Sequence, residues 1–286
     1  MHKFLLTVTF LLLSIAAKAE NFTDIKQLAL LSAASYQGVQ SLPVTLNKLG
    51  YQLIHQNDLA GTELRYFIAR SADGTQFIAF RGTSNLENAL VDLDLAFAIH
   101  PKLNVQLHQG FANAAAGAFD DMSEHLDKTH AIRTTGHSLG GAIAVIIAMQ
   151  LQRSGYMVGE TVTFGQPKVT NFKGANTFSD LPVTRVVTPK DLVPLVPPLS
   201  PLQLQDLDIY WHVGREIILL ADNKYSVTSG IKSMLRATKF MSSVPDETHI
   251  NAHQMATYLS LINGKLTNPQ LEAYDAGINV FGFSLN

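Results

Sequence analysis

Apolar positions recur with two different periods along the chain, and they predict strands with helices between them. Short runs rich in β-branched and aromatic residues predict strands, at residues 66–70, 76–80, 131–135, 161–164, 183–188 and 210–219. Helical spacing predicts helices at residues 21–36, 111–126, 139–153 and 251–262. Because strands alternate with helices, we expect an α/β domain with a largely parallel sheet covered on both faces. The early strands are expected to form an antiparallel hairpin around Ala72-Asp73-Gly74.

The first 19 residues have the pattern of an export signal. His2 and Lys3 precede an apolar stretch at residues 4–17, and Ala17-Lys18-Ala19 is a small-x-small cleavage pattern. An uncleaved membrane anchor is the alternative, but about 14 apolar residues fall short of the roughly 20 that span a bilayer. We therefore expect a secreted protein with one domain at residues 20–286 and no stable membrane span; a periplasmic location is the alternative.

Composition narrows the choice of partners and cofactors. The 21 basic and 23 acidic residues give a net charge of −2. Loss of Lys3 and Lys18 with the leader would leave 19 basic residues and a charge of −4, and no Lys/Arg cluster is present, which argues against a nucleic-acid partner. The chain has no cysteine, and its ten histidines show neither H-E-x-x-H nor another ligand spacing. We expect no disulfide, no metal and no cofactor.

A six-residue motif, Gly136-His137-Ser138-Leu139-Gly140-Gly141, has the G-x-S-x-G form of a nucleophile elbow between a strand and a helix. Glycines are needed two residues before and after the serine because a Cβ there would collide with neighbouring backbone. The following residues, 142–151, are apolar almost all round, as in a helix buried against a sheet. Ser138 is therefore the candidate nucleophile, beside helix N–H groups that favour negative charge.

A serine hydroxyl needs a histidine base, and that histidine needs an acid to orient it. On a strand–elbow–helix fold the acid and then the base follow the serine in the chain. Asp191 is the best-placed acid, because it follows the strand at residues 183–188 where a loop leaves the carboxyl edge of the sheet. The other downstream candidates are the acids Asp206, Asp208 and Asp222 and the bases His212, His249 and His253. Spacing alone does not separate His249 from His253.

Several further motifs accompany the elbow, and together they resemble the class 3 lipase family, which contains fungal triacylglycerol lipases and feruloyl esterases. They occur in the family's order over residues 65–262: Phe80-Arg81-Gly82-Thr83, His108-Gln109-Gly110-Phe111, the elbow, Thr163-Phe164-Gly165-Gln166-Pro167, Arg185-Val186-Val187, Asp191-Leu192-Val193-Pro194, Pro197-Pro198, His212-Val213-Gly214-Arg215-Glu216, and His253 with Tyr258. The resemblance implies an α/β-hydrolase fold with a mostly parallel sheet.

The resemblance also implies roles for particular residues. It makes Asp191 the acid, His253 the base and Thr83 the first oxyanion-hole donor, while the backbone N–H of Leu139, after the nucleophile, is the expected second donor. His137 matches a family position that is not the base. The implied activity is hydrolysis of carboxylic esters of lipids, of the triacylglycerol lipase type. The alternatives are a phospholipase A, a feruloyl or acetyl esterase, and a non-catalytic lipid-binding or partner-binding protein.

Residues 84–95 resemble the family's mobile lid. Ser84 and Glu87 have the spacing of a capping box, and apolar residues recur at i, i+3, i+4 and i+7. Such a helix would cover the site in water and contact a lipid–water interface; a helix packed permanently on the core is the alternative. The stretch at residues 223–243 has no family counterpart, and we expect a surface loop or a wall of the acyl pocket there. Residues 267–286 carry no assignment.

Overall fold

The fold was described from a computed structural model, which covers residues 20–59, 64–83, 96–197, 208–238, 246–274, 279–280 and 283–284. The predicted leader at residues 1–19 and the predicted lid at residues 84–95 lie outside the described residues. Within the described ranges, no helix combines the length and the apolar character that crossing a membrane requires.

Helices and strands alternate along most of the chain. The helices are α1 Phe22–Ala34, α2 Leu42–Lys48, α3 Gln109–Met122, α4 Leu139–Arg153, α5 Phe172–Thr177, α6 Gly230–Thr238, α7 Glu247–His253 and α8 Met255–Asn263, with short 3-10 turns at Ser123–His125 and Val193–Leu195. The strands are β1 Gln52–Asp58, β2 Arg65–Arg70, β3 Gln76–Phe80, β4 Phe97–Ile99, β5 Gln106–His108, β6 Ile132–His137, β7 Thr161–Phe164, β8 Thr170–Asn171, β9 Val183–Val187, β10 Tyr210–Trp211, β11 Arg215–Leu219, β12 Lys224–Ser229, β13 Gln270–Leu271, β14 Asn279–Val280 and β15 Phe283–Ser284.

The main sheet has the strand order β1-β2-β3-β6-β7-β9-β11-β12-β13. Its centre, from β3 to β11, is parallel throughout. The β2–β3 hairpin is antiparallel, with Tyr66 opposite Phe80, as expected. Because the carboxyl ends of the parallel strands β3, β6, β7 and β9 meet at one edge, the loops after them come together there. The α/β fold with a mostly parallel sheet is confirmed.

Helices cover both faces of this sheet and bury its apolar side chains. On one face, α4 packs on β6 and beside α3, and every residue of α4 from 140 to 151 is buried. This confirms the helix expected from its all-round apolar sequence. On the other face, α1 and α8 pack on the central strands. Arg133, a charged residue inside β6, forms two hydrogen bonds with the Asp24 carboxylate of α1, at 2.7 and 2.6 Å.

Two expectations from the sequence are wrong in detail, and one pair of alternatives is narrowed. Residues 210–219 form two strands in different sheets, because the chain turns at Gly214 (φ +74), where a Cβ would lie 2.2 Å from the Val183 carbonyl oxygen. The helix expected at residues 251–262 is two helices, α7 and α8, because Gln254 has an extended ψ of 136°. For residues 223–243 the sequence left a surface loop or a wall of the acyl pocket open; residues 224–238 form β12 and α6, with Arg236 buried against Glu216, so this part is not a surface loop.

Candidate active site

Ser138 lies in a sharp turn between β6 and α4. Its backbone has φ 57° and ψ −130°, a conformation that side-chain-bearing residues rarely adopt and that is held here by the surrounding packing. A Cβ on Gly136 would lie 2.3 Å from the carbonyl oxygen of Gly140, and one on Gly140 would lie 2.3 Å from that of Phe80. Both glycines are therefore required by contacts with backbone, as the motif predicts.

Asp191 and His253 form a buried pair at the same edge of the sheet. The Nδ1 of His253 lies 2.8 Å from the Oδ2 of Asp191, and the two residues are 4% and 0% exposed. A carboxylate only accepts hydrogen bonds, so Nδ1 donates to Asp191 and, in the corresponding neutral tautomer, Nε2 carries no proton. The Nε2 atom is then a free acceptor; it is buried and, among the described residues, has no hydrogen-bond partner.

Three donors hold the Asp191 carboxylate. Besides His253, the hydroxyl of Tyr258 donates to Oδ2 at 2.5 Å and the N–H of Val193 donates to Oδ1 at 2.9 Å. Burial by itself raises the pKa of Asp191, but the charge of His253 and these hydrogen bonds outweigh it, and the net pKa lies below its usual value. Burial and the Asp191 charge raise the pKa of Tyr258 well above its usual value, so its hydroxyl remains a donor.

The loop after β3 passes directly beside Ser138. Phe80 is paired with Gly136, so Thr83 and Ser138 both lie just beyond the same edge of the sheet. A Cβ on Gly82 would lie 3.0 Å from the Ser138 Cβ, and the Thr83 hydroxyl is buried without a hydrogen-bond partner in the described part of the chain. Leu139 begins α4, where the first N–H groups have no acceptor within the helix. Thr83 and Leu139 thus lie on two neighbouring loops at this edge.

The other acids and bases named from the sequence lie in different environments. His249 forms a capping box with Asp246 at the start of α7, and His212 donates to the Pro194 carbonyl oxygen at 2.7 Å. Asp208 accepts a hydrogen bond from Asn171 at 2.5 Å, and the Asp222 carbonyl oxygen accepts one from Lys265. Asp206 lies outside the described residues.

No metal site is visible in the ranges that the structure describes, where no three histidine, aspartate or glutamate side chains could hold an ion together. The site brings together a strained serine, a buried histidine nitrogen and a buried threonine hydroxyl, each of which suits nucleophilic chemistry.

Two residues of the site were not singled out from the sequence for their contacts. Gly165 follows β7 with φ +59, and a Cβ there would lie 2.7 Å from the Asp191 Oδ2 and 2.8 Å from the His253 Nδ1. Tyr258 was named only as the companion of His253 in a family motif, and its hydroxyl contacts Asp191. A glycine directly after a buried strand was the available signal for Gly165. No local sequence pattern predicts the contact between Tyr258 and Asp191.

For the ester hydrolysis that the family resemblance implies, substituting Gly165 by alanine is expected to lower turnover about 100-fold. The added Cβ displaces Asp191 or His253, and a displacement of about 1 Å at a catalytic group costs about that much. The matched control is Gly155→Ala, because Gly155 also has positive φ (+76) but its Cβ would meet nothing within 4 Å. Steady-state kinetics on a soluble ester measure both variants. Equal losses in the two would attribute the effect to backbone strain and contradict the contact argument.

Replacing Tyr258 by phenylalanine is expected to reduce the free energy of unfolding by about 1.5–3 kcal/mol, because a hydrogen bond to a charged group is lost. Urea denaturation monitored by fluorescence measures this. Tyr225→Phe is the control, since the structure shows no hydrogen bond for the Tyr225 hydroxyl among the described residues and the ring is similarly buried. A Tyr258→Phe variant as stable as the control would show that the Asp191 contact contributes little.

The strand–elbow–helix turn, with an acid–histidine pair behind it at the carboxyl edge of a parallel sheet, is the arrangement of the α/β-hydrolase fold. Residues 77–200 match the model of the family described as Lipase (class 3).

The chain is also similar to individual lipases. The chain is 26% identical over 211 residues to a lipase of Rhizomucor miehei, a match that covers 68% of this chain and 55% of the relative. It is 26% identical to the crystal structure of a lipase from Rhizopus microsporus var. chinensis, with a TM-score of 0.58 over 71% of this chain and 76% of that one.

A mono- and diacylglycerol lipase from Aspergillus oryzae has the same fold, with a TM-score of 0.66 over 82% of this chain and 96% of that one, at 21% identity. The chain spans about half the length, or less, of the curated relatives it matches first.

Proposed function

We propose that this protein is a serine hydrolase that cleaves carboxylic esters of lipids, of the triacylglycerol lipase type. The observation that carries the proposal is the buried Asp191–His253 pair, whose free Nε2 lies at the same sheet edge as the strained Ser138. A protein that only binds lipid needs neither the strained turn nor an oriented histidine. Its similarity to proteins named lipases supports the choice of substrate.

In the proposed mechanism, His253 Nε2 takes the proton of Ser138 Oγ as that oxygen attacks the ester carbonyl carbon. The oxyanion that forms accepts hydrogen bonds from the N–H groups of Thr83 and Leu139. Asp191 keeps the ring oriented and stabilises the imidazolium. His253 then protonates the leaving alcohol, which leaves an acyl group on Ser138. Water, deprotonated by His253, releases the fatty acid and restores the serine.

Two further parts of the proposal concern where the protein acts. The leader pattern at residues 1–19 supports action outside the cytoplasm. The amphipathic pattern at residues 84–95 supports a lid that contacts the lipid–water interface, since this stretch directly follows the oxyanion loop in the chain.

The experiment that tests the proposal compares two substrates, an emulsified long-chain triacylglycerol and a soluble short-chain ester, with Ser138→Ala as the inactive control. We expect release of long-chain acid that depends on Ser138 and rises above the solubility limit of the substrate. Activity confined to the soluble ester would contradict a lipase and favour an esterase, with phospholipids and acylated polysaccharides as the next substrates. No activity on either would contradict the hydrolase itself.

A further inference from the structure

Tyr36 reaches the candidate active site from outside the part of the chain that matches the lipase family. It lies two residues beyond α1, and the residue as a whole is 37% exposed. Its hydroxyl, by contrast, points inward and lies 2.8 Å from the Nδ1 of His137, the residue before Ser138. The same hydroxyl lies 3.1 Å from the N–H of Gly82, the residue before Thr83. One oxygen atom therefore contacts both loops that carry the proposed oxyanion donors.

His137 extends this contact to the base. Its Nε2 lies 2.7 Å from the backbone carbonyl oxygen of His253, at the junction of α7 and α8 where the helix breaks. A second hydrogen bond, from the Thr188 hydroxyl to the Ala252 carbonyl oxygen at 3.0 Å, holds the same backbone. The chain of contacts thus runs from the loop after β3, through Tyr36 and His137, to the backbone of His253.

The proton on each atom follows from its partner. A carbonyl oxygen only accepts, so the Nε2 of His137 carries a proton and donates to His253. Burial, and then the nearby charge of His253, lower the pKa of His137 to about 3, so the ring is neutral and its Nδ1 is an acceptor. Tyr36 must therefore donate its hydroxyl proton to Nδ1, which leaves the oxygen to accept from Gly82. Burial raises the pKa of Tyr36 to about 12, so that proton stays in place.

Steric contacts add to the hydrogen bonds. A Cβ on Gly82 would lie 2.6 Å from the Tyr36 hydroxyl oxygen and 2.6 Å from the His137 carbonyl oxygen. The loop therefore approaches this pair as closely as a glycine allows. Any shift of the Tyr36 hydroxyl changes the position of Gly82, and with it the Thr83 N–H one residue further on.

The neutral state of His137 also matters during the proposed reaction. The rings of His137 and His253 lie 4.4 Å apart, centre to centre. In the proposed mechanism His253 becomes positively charged, and a charged neighbour at that distance would oppose this. Because His137 donates to a carbonyl and accepts from a tyrosine, it remains neutral beside the imidazolium.

We propose that Tyr36 and His137 are positioning residues, which act as one hydrogen-bonded unit to hold the oxyanion loop at Gly82 and the backbone of His253 in register with Ser138. The proposal rests on the hydrolase function proposed above. Neither side chain is expected to touch the ester, so both act through the groups they hold. Their effect should therefore fall on kcat and leave substrate binding almost unchanged.

The first test is Tyr36→Phe, which removes one oxygen atom and keeps the exposed ring. On a soluble ester we expect kcat to fall about 10- to 100-fold and KM to stay within about twofold, since the oxyanion donors and the base both lose a support. Inactivation by an alkyl phosphonate, which reacts with the nucleophilic serine, should slow by a similar factor. The control is Tyr225→Phe, because the Tyr225 ring also packs on α1, against Phe22, and its loss of a hydroxyl should leave kcat unchanged.

A second test asks whether the two residues act together. The His137→Gln amide can still donate to the His253 carbonyl oxygen, but its own oxygen does not occupy the position of Nδ1 opposite the Tyr36 hydroxyl. For residues in one network, we expect the double variant to lose less activity than the product of the two single losses. Multiplicative losses would overturn the joint action. A Tyr36→Phe variant that keeps kcat within twofold, or loses it only together with its melting temperature, would overturn the proposal even if His137→Gln fails to fold.

Measurements on the unsubstituted protein distinguish a failure of the positioning role from a failure of the proposed hydrolase function. If it hydrolyses the ester in a Ser138-dependent way while Tyr36→Phe is fully active, only the positioning role is wrong. If it shows no such hydrolysis, the proposed function is overturned, and the positioning role with it.

Discussion

Substituting Ser138 by alanine is expected to lower kcat on a soluble ester about 10⁶-fold, the loss expected when the nucleophile of a catalytic triad is removed. Only binding and the oxyanion donors then remain to accelerate the reaction. The control is Ser154→Ala, an exposed serine at the other end of α4, which should keep full activity. Retention of most activity by Ser138→Ala, measured after removal of any trace of the original protein, would contradict the proposed chemistry.

Two substitutions at Ser138 distinguish the effect on activity from the effect on stability. Ser138 has φ 57° and ψ −130°, which glycine adopts at little cost while other residues are strained there by about 1–3 kcal/mol. Ser138→Gly should therefore be inactive and yet more stable than Ser138→Ala by about 1 kcal/mol in urea denaturation, after allowance for the greater freedom of glycine in the unfolded chain. An alanine variant as stable as the glycine variant would show that this backbone conformation is not strained.

Substituting His253 by alanine is expected to have an effect of the same size, about 10⁶-fold in kcat, because the base and the nucleophile act as a unit. His249→Ala is the matched control. It lies four residues earlier on the same helix, but its side chain caps α7 with Asp246 and does not contact Asp191. It should keep a sizeable fraction of the activity. Equal losses in the two variants would contradict the choice of His253.

The double variant strengthens this test. Because Ser138 and His253 are proposed to act in one step, Ser138→Ala combined with His253→Ala should be no slower than either single variant. Circular dichroism should show folded protein in all three, since neither side chain contributes to the apolar clusters that stabilise the domain. A further large loss in the double variant would show that the two residues act independently.

Much of the fold follows from the sequence because its signals are local. The strands β3 and β7 begin and end where the sequence predicts, since both are buried on both faces; Gln76, the polar first residue of β3, is buried because its side chain pairs with the Asp127 backbone. The same holds for α4, whose bounds match the prediction. The prediction of one strand at residues 210–219 is wrong because the observed turn depends on a contact between distant residues. Gly214 turns the chain so that its Cα packs on Val183 of another strand, and no local pattern shows that contact.

In the candidate site, too, some features follow from the local sequence and others do not. Local chemistry determines the elbow around Ser138, because a sharp turn needs small residues at fixed spacings within six positions. The sequence also limits the acid and the base to a few residues after the elbow. It does not choose among them by spacing, and the resemblance to a family was needed to name Asp191 and His253. The oxyanion donors could likewise be named by residue number, but the sequence does not show how their N–H groups are arranged.

The sequence by itself thus determined an α/β chain, the elbow with its required glycines, and short sets of acids and bases. Tertiary structure decided which of them meet. Asp191 and His253 are 62 residues apart, and Tyr36 and His137 are 101 apart. Such contacts depend on how strands are ordered in the sheet and on where a helix breaks, at Gln254 here. Neither leaves a periodic signal in the chain, because each is set by packing between segments that are distant in sequence.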